Sequence, residues 1–96
     1  MNNSEKTEEF YKRLKAQLED NFSWPSTYLY KFIVPSDPAK VAAIKDIFAD
    51  TSANLQTKES SKGTFTSVSV KVRMKSPDAV IEKYLEVSKV EGVISL

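Results

Sequence analysis

The sequence predicts an α+β domain in which two strand–helix–strand halves build one sheet, preceded by an extra helix. Three observations lead to this prediction. Alternating or β-branched runs, typical of strands, occur at four places: residues 28–34, 54–59, 64–74 and 93–96. A capping side chain followed by proline opens a helical pattern after the first run and again after the third. A turn containing glycine joins the second run to the third.

The first element is a predicted helix over residues 5–19, because apolar residues recur there at i, i+4 and i+8. These residues are Phe10, Leu14 and Leu18. Their stripe is narrow, so we expect the helix to dock weakly or to fray. We assign residues 1–21 to an N-terminal helical extension and residues 22–96 to the domain proper.

The first strand and first domain helix follow. Alternation over 28–34 places Tyr28, Tyr30, Phe32 and Val34 on one face, and Leu29, Lys31 and Ile33 on the other. Both faces are largely apolar, which predicts a central strand. Asp37 is the expected cap of a helix that begins at Pro38. The residues of this helix expected in the core are Val41, Ile44 and Phe48.

A hairpin comes next, with an edge strand at 54–59, a turn containing Lys62 and Gly63, and a long strand at 64–74. On the long strand Thr66, Val68, Val70, Val72 and Met74 share one face, and Phe65, Ser67, Ser69, Lys71 and Arg73 share the other. Ser76 then caps a helix whose expected inward residues are Val80, Ile81, Tyr84 and Leu85. Gly92 ends this region before the last short strand.

The element order β-α-β-β-α-β, with right-handed crossovers, gives the ferredoxin-like split β-α-β sandwich. Its four-stranded antiparallel sheet has the order 4-1-3-2, with both domain helices on one face. The uncovered face then combines residues of the first and third strands, and we expect function there. These candidate residues are Leu29, Lys31, Ile33, Phe65, Ser67, Ser69, Lys71 and Arg73, with Lys62 and Gly63 at the hairpin.

Composition argues against catalysis. The 96 residues include no cysteine and no histidine, which removes thiolate chemistry and the commonest general base. The carboxylate pairs Glu82–Glu86 and Asp46–Asp50 are typical of solvated helix faces. We predict no catalytic residue, no metal site and no cofactor. The N-terminal sequence has no apolar signal core and no apolar run long enough to span a bilayer, so we expect a cytoplasmic protein without a membrane partner.

The segment "ESSKGTFTSVSVKV" is the part of the chain most similar to a nucleotide-binding or RNA-binding motif. A P-loop requires GxxxxGK[ST] before a helix, whereas this stretch has one glycine and precedes a strand. An RNA-recognition strand would carry aromatics at the positions of Thr64 and Thr66, which flank Phe65. Residues 58–75 hold five basic residues against one acidic residue, so RNA binding remains an alternative although nucleic acid is not the expected partner.

The segments "YLYKF", "ESSKGTFTSVSV" and "EVSKVEGVISL" resemble the bacterial YbeD-like family, a domain-of-unknown-function group. The resemblance covers residues 22–96, and the serine–serine–lysine–glycine hairpin is its specific part. It implies an ACT-like fold, similar to regulatory domains that bind amino acids and other small effectors at subunit interfaces. ACT domains commonly have a glycine after the first strand; here Pro35-Ser36-Asp37-Pro38 removes two N–H groups from that loop.

We therefore predict a non-enzymatic ACT-like module, regulatory through a small-molecule effector or a protein partner. The alternatives are an RNA-binding domain that uses the basic face and a protein–protein adaptor. Leu29, Ile33 and Phe65 make the uncovered face too apolar for an idle surface. We expect the N-terminal helix or a second subunit to cover it, and we predict a homodimer with Phe65 near the interface.

Overall fold

The predicted elements occur in the predicted order in the computed structural model, which describes the backbone of residues 3–96 and the side chains of residues 8–96. The helices are α1 (Asn3–Asn21), α2 (Pro38–Ile47) and α3 (Pro77–Val87). The strands are β1 (Ser26–Pro35), β2 (Asn54–Glu59), β3 (Phe65–Met74) and β4 (Ile94–Ser95).

The four strands form one antiparallel sheet in the order β2-β3-β1-β4, which is the predicted order read from the opposite edge. β1 and β3 pair along their whole length, from Ser26 opposite Met74 to Pro35 opposite Phe65. These two strands lie in the centre of the sheet, as their apolar sequences predicted. The ferredoxin-like fold class is confirmed.

The core lies between the sheet and the helices. Alternate residues of β1 and β3 are buried there, and α2 and α3 cover them with one face each. The fully buried large side chains are Tyr30, Phe32, Val34, Ile44, Phe48, Val68, Val70, Val80 and Val87. Burial of each such side chain is worth about 1.5–3 kcal/mol, so this layer is the main source of stability.

Both predicted helix caps are present. The Asp37 carboxylate accepts a hydrogen bond from the Ala39 amide at 2.9 Å, and the Ser76 hydroxyl accepts one from the Ala79 amide at 3.1 Å. Each satisfies one of the free N–H groups of the first helical turn, which fixes where α2 and α3 begin.

One predicted core residue is exposed instead. Leu85 is 42% exposed, because the inward face of α3 runs through Val80, Tyr84 and Val87. Leu85 is the next residue after Tyr84, so it lies about 100° around the helix, given 3.6 residues per turn. On α1, Phe10 of the predicted apolar stripe is 58% exposed, whereas its neighbour Tyr11 packs against the core.

The N-terminal helix α1 is docked on α3, whereas we expected weak docking or fraying. Leu18 is 3% exposed, and the Lys15 ammonium lies 3.0 Å from the Asp78 carboxylate at the start of α3. The Trp24 indole N–H donates to the carbonyl of Leu18 at 3.2 Å. Because α1 joins the helical layer, it leaves the other face of the sheet uncovered.

Candidate functional site

The face of the sheet that points away from the helices brings most of the predicted site residues together. We call it the open sheet face. Its register sets Leu29 opposite Lys71, Lys31 opposite Ser69 and Ile33 opposite Ser67. At the two ends Arg73 lies opposite Thr27, and Phe65 lies opposite Pro35. The predicted face is therefore continuous across β1 and β3.

The edge strands add residues that the sequence did not single out. β2 contributes Asn54, Gln56 and Lys58, paired with Lys71, Ser69 and Ser67 of β3. β4 contributes Ile94, which pairs with Ile33, and Leu96 follows it, with its amide donating to the Lys31 carbonyl at 2.9 Å. The alternation within residues 54–59 and 93–96 divides each strand into two sets of side chains. Which set lies on the open sheet face is decided only by the pairing of the strands.

The half of the open sheet face built by β1 and β4 is apolar. Leu29 is 57% exposed, Ile94 53% and Leu96 69%. Ile33 lies half-buried between them, and Phe65, 44% exposed, stands at the end of β3. We call Leu29, Ile33, Ile94 and Leu96 the apolar strip. Clustered exposed apolar side chains of this kind are typical of contact surfaces in proteins.

The same face is positively charged. It carries Lys31, Lys58, Lys71 and Arg73, all exposed. The four strands, which lie wholly within the described residues, present no carboxylate side chain to this face, since Glu59 pairs with the inward-facing Thr66. The ion pairs found among residues 8–96 involve Lys15 and Lys83 instead. The four cations of the face are therefore available to an anionic partner.

Lys62 and Gly63 lie in the hairpin turn rather than on the open sheet face. The Gly63 amide donates to the Ser60 carbonyl at 2.8 Å, and the Phe65 amide donates to the Ser60 hydroxyl at 3.1 Å. Gly63 has φ = +71°, the left-handed conformation that glycine adopts without strain. The serines, lysine and glycine of this segment thus shape a turn and not a phosphate cradle.

The acidic residues of the pairs Asp46–Asp50 and Glu82–Glu86 are all exposed, and one of each pair lies near Lys83. Asp50 pairs with Lys83 at 2.9 Å, and this hydrogen-bonded cation lowers the pKa of the Asp50 carboxyl. Glu86 lies 3.6 Å from the same ammonium, whereas Asp46 and Glu82 are exposed. Among the described residues, no group of three or more acidic side chains converges as a metal site would require.

The loop between β1 and α2 is occupied by its own contacts. The hydroxyls of Ser36 and Thr66 share a hydrogen bond of 2.8 Å, and Asp37 caps α2. A Cβ on Gly92 would lie 3.1 Å from the Pro35 ring, so the chain before β4 packs tightly on the same loop. Beside it lies a groove of about 330 Å³.

A larger groove of about 930 Å³ lies on the helical side, between α3 and residues 50–52. Its lining includes Lys75, Glu82 and Glu86. Within residues 3–96, none of the helices has an apolar stretch long enough to cross a membrane.

Residues 19–96, the whole sheet and both helices packed on it, match the profile of a family described as "Protein of unknown function (DUF493)". The chain belongs to the DUF493 family. Two DUF493 relatives are the UPF0250 proteins of Haemophilus ducreyi and Shewanella halifaxensis. The first is 33% identical over 82 residues, covering 82% of this chain and 84% of the relative. The second is 25% identical over 83 residues, covering 83% and 94%.

A solved structure shares the fold of this DUF493 chain. It is the ACT domain from the GTP pyrophosphokinase of Chlorobium tepidum, with a TM-score of 0.52. The likeness covers 74% of this chain and all of that domain, at 14% sequence identity. It confirms the ACT-like fold that the sequence resemblance implied.

Proposed function

We propose that this DUF493 chain is a non-enzymatic, ACT-like module that regulates by binding, and that the open sheet face is its contact surface. One observation carries the proposal. Leu29, Ile94 and Leu96 are each more than half exposed on a single sheet face. Since full burial of such a side chain is worth about 1.5–3 kcal/mol, a partner that covers them gains most of its affinity there.

The ACT-like fold supports a regulatory role over a catalytic one, because domains of this type act through bound effectors or partners. The β1–α2 loop offers little to a small effector, because Ser36 and Thr66 bond each other there and the groove beside the loop is only about 330 Å³. The groove between α3 and residues 50–52 offers the larger space for such a ligand.

We also propose a homodimer, formed by pairing of two β2 strands, since β2 is the longer of the two edge strands of the sheet. β2 is paired on one side only, and its polar residues are exposed. Stacking two open sheet faces would instead bring the four cations of one face close to the four cations of the other. The repulsion between these like charges would weaken the dimer. Phe65, on the neighbouring strand β3, would lie near the β2 edge without being covered by the partner.

The binding role is tested by affinity capture from a lysate of the organism that encodes the chain, followed by mass spectrometry of proteins and small molecules. The wild-type chain is compared with a Leu29→Ser/Phe65→Ser variant that melts cooperatively. We expect a specific set of molecules to be retained by the wild type and lost by the variant. Identical retained sets would contradict the assignment of the open sheet face as the contact surface.

A further inference from the structure

The apolar strip has no cover within the described residues. α1, the one helix outside the two domain helices, packs on α3 on the far side of the sheet. A second copy stacked face to face would oppose like charges at Lys31, Lys58, Lys71 and Arg73. The strip therefore requires an occupant that is apolar where it meets the strip and negatively charged beside it.

The placement of the cations defines the shape of that occupant. Lys71 lies directly across from Leu29, and Lys58 lies beyond Ser67, which faces Ile33. Since neighbouring strands are about 4.8 Å apart, these cations stand about one and two strand spacings to one side of the strip. Lys31 projects from the strip itself, between Leu29 and Ile33. The positive charge of the face thus lies either within the apolar strip, at Lys31, or on the β3 side of it.

The dimensions fit a helix. From Leu29 to Ile33 the strip runs four residues along β1, or about 13 Å, which corresponds to between two and three helical turns. A helix with side chains is about 10–12 Å wide, so one seated over β1 and β4 would bring its flank to β3. An apolar helix edge would cover Leu29 and Ile94, which are exposed now.

We propose that the open sheet face docks an acidic amphipathic helix of another protein. Its apolar edge lies on the apolar strip, and its carboxylates face Lys58, Lys71 and Arg73. This inference rests on the proposed binding function and names the chemical class of the partner. Charge pairs at the edge of such a contact set orientation and association rate, while the apolar strip supplies most of the affinity.

The face is poorly suited to single-stranded RNA, the other polyanion considered above. Base recognition on a sheet of this kind uses exposed aromatic side chains of the central strands. Phe65 is the one aromatic that the four described strands present to this face, and it stands at the end of β3. Thr66, a position where an RNA-recognition strand carries an aromatic, is 6% exposed and points into the core. Ser67 and Ser69 fill the centre of the face.

The test uses a designed helical peptide of about 18 residues, five turns, with leucines on one edge and glutamates along one flank. A matched control peptide carries lysine at every glutamate position. Binding to the full chain is measured by calorimetry and by amide chemical-shift changes. We expect the glutamate peptide to bind, with shifts concentrated in β1, β3 and β4, and the lysine peptide to bind at least about tenfold more weakly.

Variants assign the binding to the face. Lys58→Glu/Lys71→Glu should weaken the glutamate peptide at least about tenfold, and Leu29→Ser should weaken both peptides. Lys89→Glu, a single charge reversal at an exposed lysine outside the sheet, should leave binding unchanged. A thermal melt of each variant confirms that it is folded.

Failure to bind the glutamate peptide, or equal binding of both peptides, would overturn the proposal. So would tighter binding of oligouridylate, or of phosphatidylcholine–phosphatidylglycerol vesicles, at the same residues. The outcome is separable from the broader function. If peptide binding fails while the retained set from lysate still depends on Leu29 and Phe65, the binding role stands and the acidic-helix class is wrong.

Discussion

The ammonium group of Lys83, on α3, donates to the carbonyl oxygen of Ile47, the last residue of α2, at 2.6 Å. It also donates to the Asp50 carboxylate at 2.9 Å and lies 5.6 Å from the centre of the Phe48 ring. The carbonyls at a helix C-terminus lack partners within the helix and attract positive charge. With its side chain only 12% exposed, Lys83 links the middle of α3 to the C-terminal end of α2.

Replacing this lysine should destabilise the domain. We expect Lys83→Met, which keeps the aliphatic length, to lower the free energy of unfolding by about 1–3 kcal/mol, because the Ile47 carbonyl loses a charged donor. Urea denaturation measures the loss. Asp50→Asn serves as the control, since the Ile47 bond remains, and it should cost less. A Lys83→Met variant as stable as the wild type would show that solvent replaces the ammonium without penalty.

The buried tyrosines predict a loss of stability in alkali. Burial raises the pKa of Tyr30 and of Tyr84 above the ordinary value of 10.0. Below pH 10 the two phenols are protonated in both the folded and the unfolded chain. Just above pH 10 they release their protons only in the unfolded chain. Stability should therefore fall as pH rises past 10, by up to about 1.4 kcal/mol per pH unit for each tyrosine.

Melting temperatures between pH 8 and pH 11 check this prediction. Tyr30→Phe also removes the hydrogen bond to the Val80 carbonyl, at 3.0 Å, so it should be less stable at neutral pH. Its decline above pH 10 should nevertheless be shallower than that of the wild type. Parallel declines in the two proteins would mean that Tyr30 ionises as easily in the folded state as in the unfolded state.

The hairpin turn depends on Gly63. A β-branched side chain is strained at φ = +71°, so Gly63→Val should cost about 1–3 kcal/mol. The nearest atom to an added Cβ is a Glu59 carboxylate oxygen at 3.7 Å, so the cost comes from the backbone and not from a clash. Gly63→Asn should lose less, because asparagine tolerates this conformation. Equal melting temperatures for the wild type and the valine variant would rule out a positive φ there.

The proposed homodimer predicts a solution mass twice that of the 10.8 kDa chain. Light scattering behind a sizing column measures this mass. The protein is loaded at about 100 µM, so that a weakly associating dimer with a small interface is also detected. Hydrogen exchange locates the contact: the outward amides of β2 should exchange more slowly at high protein concentration than at low. A monomer mass throughout the dilution series would exclude the dimer.

Much of the architecture was predictable because its signals are local. Alternation in β1 and β3 identified their two faces, and the Asp37 and Ser76 caps fixed the helix starts. The contribution of β2 and β4 to the open sheet face was not predictable, since pairing across the sheet decides the orientation of a short strand. The rotation of α1, which buries Leu18 and exposes Phe10, is set by packing on α3. The contact between Lys83 and Ile47 joins residues 36 positions apart and leaves no local pattern.

The position of Trp24 gives the chain a built-in optical reporter. It is the only tryptophan in the sequence, and its indole N–H is bonded to the Leu18 carbonyl near the end of α1. Detachment of α1 would return that indole to water and shift its emission toward longer wavelengths. Undocking of α1 can therefore be followed by intrinsic fluorescence, without a label.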